Sequence, residues 1–271
     1  MKVEDGFVCA GRKRLEYRFW ARNAPGATLV LLHEGLGCVA LWKDFPEALH
    51  RATGLPVLAY SRAGYGGSDP DDLPRPLDWM TREAAVLGEV LSALDLIRVV
   101  LVGHSDGATI AAIAAGQPLL PIAPSGRTVL AVVLMAPHFF TEEMGLAEIA
   151  RADAGFEAAG LAARMGKYHR DPVATFRGWA DAWLSEGFLA WNVEAVLDGI
   201  TAPVLVIQGK NDQYGTLEQV AAVTDRVPGA RAVILEDCRH VPHLEKPEAV
   251  LSEIVSILHD NAILHDDVPR K

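Results

Sequence analysis

Apolar residues along this chain follow two rhythms. Short runs that are apolar at successive positions recur at Thr28–Leu32, Pro56–Tyr60, Arg98–Val102, Val129–Met135, Pro203–Gln208 and Ala232–Leu235. Such runs read as strands buried on both faces, which is the signature of a parallel sheet covered by helices. Between them lie stretches with helical spacing, around 40–51, 78–94, from Ser105 onward, 217–226 and 247–259. Residues 7–20 read as two short strands turning at Gly11-Arg12. The alternation predicts an α/β class protein with a mostly parallel, doubly wound sheet. One interval breaks it. From His138 to Ile200 no strand-like run occurs, and the stretch is too long for a crossover loop. It predicts a small helical insertion, residues 138–200, in a core formed by 1–137 and 201–271. A Pro-rich break falls at 118–124, and residues 265–271 read as a solvated tail.

At 271 residues, half of them apolar, the chain can bury a full core and disorder is excluded. The formal net charge of −10 argues against a nucleic-acid or anionic-membrane partner. The apolar runs are far shorter than a membrane span, and the first twenty residues lack the continuous apolar core of a signal peptide. The three cysteines, Cys9, Cys38 and Cys238, are scattered and fit free thiols in a reducing cytoplasm. No spacing calls for a metal or a cofactor. A small-molecule substrate is the expected partner, and a homodimer is left open.

The chemistry concentrates at Gly103-His104-Ser105-Asp106-Gly107, which sits between a strand and a helix. A serine on a sharp strand-to-helix turn has its hydroxyl lifted above the sheet, and flanking glycines remove side chains that would clash there. A serine hydroxyl needs a base, and the base needs a carboxylate to orient it. Asp212 follows the 203–208 strand and is the acid candidate. His240 follows the 232–235 strand and is the base candidate, with His243 as its rival. Glu236 and Asp237 lie too close to His240 in sequence to orient it from a separate loop. Ligand chemistry in open α/β sheets gathers at these strand ends.

With those residues in place, the chain resembles the α/β-hydrolase superfamily over nearly its whole length. Besides the serine motif it has Leu32-His33-Glu34-Gly35-Leu36-Gly37 where the family usually has H-G-x-x-G. Ser61 to Ser68 stand where many members have D-x-R-G-x-G-x-S, and His240 to Pro247 match H-x-P-x-x-E-x-P. The resemblance implies Ser105, Asp212 and His240 as catalytic residues, with His240 chosen over His243, and oxyanion-binding N–H groups on Gly35 and Asp106. It also implies that the insertion is a helical cap. The chain departs from the pattern at Glu34 and Arg239, where glycines are usual, and at Ser61, where an aspartate is usual.

Phe176, Trp179 and Trp183 share one helical face, followed by Phe188 and Trp191. Glu34, Tyr65, His138, Phe139, Phe140, Trp179 and Trp183 are the candidates for the substrate pocket. Glu34 could tune substrate choice or pair with a neighbour. The reading that follows is a serine hydrolase of small carboxylic esters acting through an acyl-enzyme. Carbon–carbon bond hydrolases, lactonases, thioesterases and aminopeptidases share the triad and stay open, as does a non-catalytic binding protein of this fold. Carbon–carbon hydrolases need a cation for an anionic substrate, and Arg62, Arg151, Arg164, Arg170 and Arg177 are the candidates.

Overall fold

The computed structural model describes residues 1–117 and 128–264. The Pro-rich break and the expected C-terminal tail lie outside them. The eight strands β1 (Val3–Ala10), β2 (Lys13–Trp20), β3 (Thr28–Leu32), β4 (Val57–Tyr60), β5 (Arg98–His104), β6 (Thr128–Met135), β7 (Val204–Gly209) and β8 (Arg231–Leu235) form one sheet. Its order is β1-β2-β4-β3-β5-β6-β7-β8. The first hairpin is antiparallel and joins β4 antiparallel; every pairing from β4 to β8 is parallel.

Side chains alternate across a strand, so each apolar run feeds two cores. Val30, Leu32, Val99, Leu101, Val132, Leu134, Val204 and Val206 pack on one face. Leu29, Leu31, Val100, Val102, Val133, Leu205 and Ile207 pack on the other. The first face is covered by α2 (Trp79–Ala93), α3 (Asp106–Gly116), α7 (Glu218–Arg226) and the segment after β6. The second is covered by α1 (Phe45–Thr53) and α9 (Pro247–Asp260).

The helix expected over 40–51 divides in two. A short 3-10 turn spans Val39–Trp42, and α1 starts afresh at Phe45. Pro46 is the reason: it has no N–H to give inside a helix but fits the first turn of a new one. The segment after β6 is helical, as expected. It carries α4 (Glu143–Ala154), α5 (Leu161–Met165) and α6 (Pro172–Trp183), then two short 3-10 turns, Glu186–Ala190 and Glu194–Gly199. A single isolated bridge, Phe140 to Asn192, ties its two ends together. α8 (Pro242–Glu245) lies in the loop before α9. Among the described residues no helix is long and apolar enough to cross a membrane.

The last turn of this segment is fixed to the end of α3 by backbone contact. A Cβ on Gly199 would lie 2.0 Å from the Gly116 carbonyl oxygen, and one on Gly116 would lie 1.9 Å from the Val196 carbonyl oxygen. Gly160, by contrast, has a left-handed φ of +59° but open space around it. Gly116→Ala is therefore expected to cost about 3 kcal/mol, at the top of the range for overpacking. Gly160→Ala should cost only about 1 kcal/mol from its backbone conformation. Urea unfolding of the two variants checks the order.

Candidate active site

The parallel strands deliver their loops to one end of the sheet, and the predicted residues meet there. Ser105 leaves β5 with φ +53°, a left-handed conformation that few non-glycine residues adopt. Its neighbours make that turn feasible. A Cβ on Gly103 would lie 2.3 Å from the Gly107 carbonyl oxygen, and one on Gly107 would lie 2.0 Å from the Leu32 carbonyl oxygen. Ser105 N–H donates to the Met135 carbonyl at 2.9 Å, which anchors the turn to β6.

His240 Nε2 lies 2.9 Å from Ser105 Oγ. His240 Nδ1 lies 2.9 and 2.8 Å from the two carboxylate oxygens of Asp212. Asp212 also accepts from Gln208 Nε2 at 2.9 Å and from the Tyr214 N–H at 2.8 Å. Burial works to raise the Asp212 pKa, but the hydrogen bond and charge of His240, with the Tyr214 N–H, outweigh it and hold it below the ordinary carboxylate value. Asp212 therefore faces the imidazole as a carboxylate, and Nδ1 carries the proton between them.

The backbone of His240 is fixed on three sides. Glu245 accepts from the N–H groups of Arg239 at 2.8 Å and Val241 at 2.9 Å. The His240 carbonyl accepts from His104 Nε2 at 2.6 Å. Glu236 pairs instead with Lys210 on the surface. His243 is buried three residues away, with its ring 4.7 Å from that of Trp42 and 5.3 Å from that of Phe45.

A cavity of about 260 Å³ opens beside Ser105. Glu34, Gly35, Asp106, His138, Trp179 and Trp183 line it, together with Phe140, Leu146, Ile149 and Tyr214. Gly35 packs so tightly under Trp179 that a Cβ there would lie 2.2 Å from the indole nitrogen. Asp106 Oδ1 accepts from Trp183 Nε1 at 3.2 Å. Burial pushes the Asp106 pKa above its usual value, against the pull of Arg62 and Arg75.

Two expected pocket residues are not there. Phe139 is fully buried in the core. Its N–H donates to Gln219 and its carbonyl accepts from Val193, so the chain runs extended and alternate side chains point opposite ways. His138 and Phe140 face the cavity, and Phe139 faces inward. Tyr65 is 1 % exposed, with the guanidinium groups of Arg62 and Arg75 4.9 and 5.0 Å from its ring centre. Arg62 is buried too. It donates to the His33 and Glu34 carbonyls at 2.5 and 3.0 Å, bracing the loop after β3 from behind. Arg151 and Arg177 pair with Glu148 and Asp153, and neither these nor Arg164 and Arg170 line the cavity.

Several contributors escaped the sequence reading: His104, Gln208, Tyr214 and Glu245. Gln208 carried a signal, as a polar side chain next to the end of an apolar strand buried on both faces. Cys38 and Cys238 are buried, and burial pushes their thiols up to about 12 and about 11, so they act as fillers. Among the described residues no group of histidine, cysteine or carboxylate side chains is arranged to hold a metal ion.

Burial, reinforced by the neighbouring His104, pushes the His243 pKa from 6.5 down to about 3. Between those values the unfolded chain binds a proton that the folded chain refuses. This part of the stability is thus complete above about pH 6.5 and is lost as the pH falls. His243→Phe keeps the stacking on Trp42 and removes the titration. It is expected to flatten the slope of unfolding free energy between about pH 6 and pH 4 by up to ~1.4 kcal/mol per pH unit. Urea unfolding at a series of pH values measures that slope, and an unchanged slope would refute the assignment.

Known proteins resemble this chain in family and fold. Residues 29–253 match the model of the alpha/beta hydrolase family. The chain is 35% identical to an sn-1-specific diacylglycerol lipase, ABHD11, of Xenopus tropicalis, over 90% of this chain and 82% of that protein. It is 24% identical to a proline iminopeptidase of Heyndrickxia coagulans, over 94% of this chain and 98% of that one. The crystal structure of the enol-lactonase from Burkholderia xenovorans LB400 superposes with a TM-score of 0.73 at 19% identity, covering 94% of this chain and all of that one. The chain belongs to the alpha/beta hydrolase family.

Proposed function

We propose that this hydrolase-family protein is a serine hydrolase that cleaves small, uncharged carboxylic esters. The observation that carries the reading is the continuous line from Asp212 through His240 to Ser105, with 2.8 Å and 2.9 Å contacts. In this reading Ser105 Oγ attacks the ester carbonyl while His240 Nε2 takes its proton. Asp212 holds the ring and stabilises the imidazolium. The N–H groups of Gly35 and Asp106 receive the oxyanion, helped by the N-terminus of α3. His240 returns the proton to the leaving alcohol. Water then repeats the sequence on the acyl-enzyme, restoring Ser105. Residues 138–200 act as a cap whose α4 and α6 contribute one wall of the pocket.

The cavity wall supports an uncharged substrate. Its apolar lining is aromatic and aliphatic, its carboxylates are Glu34, Asp106 and Glu142, and no Lys or Arg is among the described residues that line it. A bound carboxylate would face like charge without a partner, which a low-dielectric site penalises heavily. The relatives differ in what they act on, so the fold leaves the ester bond to be decided by this wall.

Ser105→Ala and His240→Ala are each expected to lower hydrolysis of a chromogenic ester by about 10⁴-fold or more. A fluorophosphonate probe should label the wild type at Ser105 and leave Ser105→Ala untouched. Ester turnover persisting in the alanine variant would overturn the mechanism.

Substrate charge gives a separate test. A neutral aryl ester should show a higher kcat/KM than its matched carboxylate-bearing analogue. Preference for the anion would favour a carbon–carbon bond hydrolase instead.

A further inference from the structure

The stretch between α5 and α6 is pinned to the loops after β3 and β4. Arg170 N–H donates to the Gly66 carbonyl at 2.9 Å, and Lys43 Nζ donates to the Tyr168 hydroxyl at 2.9 Å. Between them His169 is 3 % exposed and touches both loops at once.

The hydrogen bonds of the His169 ring have one solution. Nδ1 lies 3.0 Å from the Gly66 nitrogen, and a backbone N–H only donates, so Nδ1 presents its lone pair. Nε2 lies 3.0 Å from the Leu36 carbonyl oxygen, and a carbonyl only accepts, so Nε2 carries the hydrogen. Both partners ask for the same neutral tautomer. Burial lowers the pKa of the ring, against the pull of the Leu36 carbonyl and of Glu34 and Glu16, and so favours the neutral form.

What His169 grips is one end of a chain of peptide units. In a trans peptide the carbonyl and the N–H point opposite ways. The Leu36 carbonyl shares its peptide with the Gly37 N–H, which donates to the Glu34 carbonyl at 3.1 Å and closes a tight turn. The Glu34 carbonyl shares its peptide with the Gly35 N–H. It also accepts from His33 Nδ1 at 2.7 Å and Arg62 Nη2 at 3.0 Å. Three donors thus hold one side of that peptide, and its N–H leaves on the other. Gly35 itself lines the cavity beside Ser105. Hydrogen bonds linked in this way polarise one another, so a carbonyl that accepts makes the N–H of its own peptide a stronger donor.

We infer that His169 is a positioning residue for the oxyanion site. From the helical segment after β6 it holds the Leu36–Gly37 peptide, which holds the Glu34–Gly35 peptide, which presents the Gly35 N–H to the reacting carbonyl. The inference rests on the serine hydrolase reading for its kinetic consequences. Without the bond from Nε2, one end of the 36–37 peptide is released. The Gly37 N–H then loses its aim at the Glu34 carbonyl, and the Gly35 N–H becomes a weaker and less directed donor.

Asparagine and glutamine at position 169 take the two contacts apart. The asparagine amide ends at the distance of Nδ1 and can serve Gly66, whereas the glutamine amide reaches the distance of Nε2 and can donate to Leu36. With 4-nitrophenyl acetate, His169→Asn should lose kcat by between about 10-fold and the roughly 10²- to 10³-fold that removal of an oxyanion donor costs, with KM changed little. His169→Gln should keep most of the activity. Thr175→Val removes a neighbouring tie of the same segment, from Thr175 Oγ1 to the Gly64 carbonyl at 2.6 Å. It should lower stability to urea and leave kcat nearly unchanged. In the wild type, nitrogen NMR should find His169 Nε2 protonated and Nδ1 unprotonated. Couplings across the hydrogen bonds should link His169 Nε2 to the Leu36 carbonyl and the Gly37 nitrogen to the Glu34 carbonyl, and His169→Asn should weaken the second. Full activity in His169→Asn, or a loss that His169→Gln shares, would overturn the proposal. So would a rise in KM at constant kcat, a matching loss of kcat in Thr175→Val, or a protonated Nδ1 in the wild type. If His169→Asn does not fold, His169→Phe, which fills the space and makes neither bond, takes its place. If the wild type neither hydrolyses the ester nor reacts with a fluorophosphonate, the serine hydrolase reading falls, while the couplings still decide whether the chain of hydrogen bonds exists.

Discussion

No side chain fits where the first turn of α3 crosses the end of β3. The absent Cβ of Gly107 would meet the Leu32 carbonyl at 2.0 Å and the His33 carbonyl at 2.6 Å. That closeness forces the chain to turn at Ser105 within one residue, at φ +53°. The strain is of order 1–3 kcal/mol for a residue held in so sparsely populated a region. Backbone hydrogen bonds offset it: Ser105 donates to Met135, and its carbonyl accepts from Ala108 and Thr109. The same crossing brings the loop 33–37 against the nucleophile. Every role proposed for Gly35, Asp106 and Glu34 depends on it.

His240 arrives from the other side by an equally close approach. Gly209 ends β7 so near the following loop that a Cβ there would lie 2.1 Å from the Arg239 carbonyl oxygen. Asn211 N–H donates to the Cys238 carbonyl at 2.9 Å. The loops after β7 and β8 are therefore one unit, and Asp212 cannot shift without carrying the His240 loop with it. Glu245 closes that unit from α8, and His104 ties it to β5. Ser105, Asp212 and His240 come from loops far apart in sequence, and main-chain contacts of their neighbours bring those loops together.

This explains what was readable in advance. Strands buried on both faces announce themselves as apolar runs, and the residues just beyond them were singled out because ligand chemistry in parallel sheets gathers there. Pro46 carried the information that splits 39–53 into a turn and a helix, but the helical spacing of its neighbours masked it. Phe139 and Tyr65 were misplaced because side-chain direction depends on partners from elsewhere: Gln219 and Val193 for the first, two arginines for the second. Ser61 looked like a lost carboxylate. Its hydroxyl donates to Glu16 Oε2 at 2.8 Å, and Gly67 N–H donates to the same oxygen at 3.0 Å. β2 thus supplies the charge that the turn lacks, through a pairing no single stretch of sequence reveals.

The charge balance around Ser105 raises a difficulty that the structure itself answers. An oxyanion on the nucleophile side would be repelled by an ionised Asp106, whose Oδ2 stands 3.0 Å from the Cβ position of Gly35. Burial raises the pKa of that carboxyl, whereas the histidine and the N–H that face Asp212 hold its pKa below the ordinary value. The two aspartates are driven apart in pKa by what surrounds them. Asp106 has an indole N–H on one oxygen and, among the described residues, no ion-pair partner; Asp212 has an imidazole and two further donors. In the proposed mechanism the carboxylate of Asp212 then lies beside the imidazole, where a positive charge would form during attack.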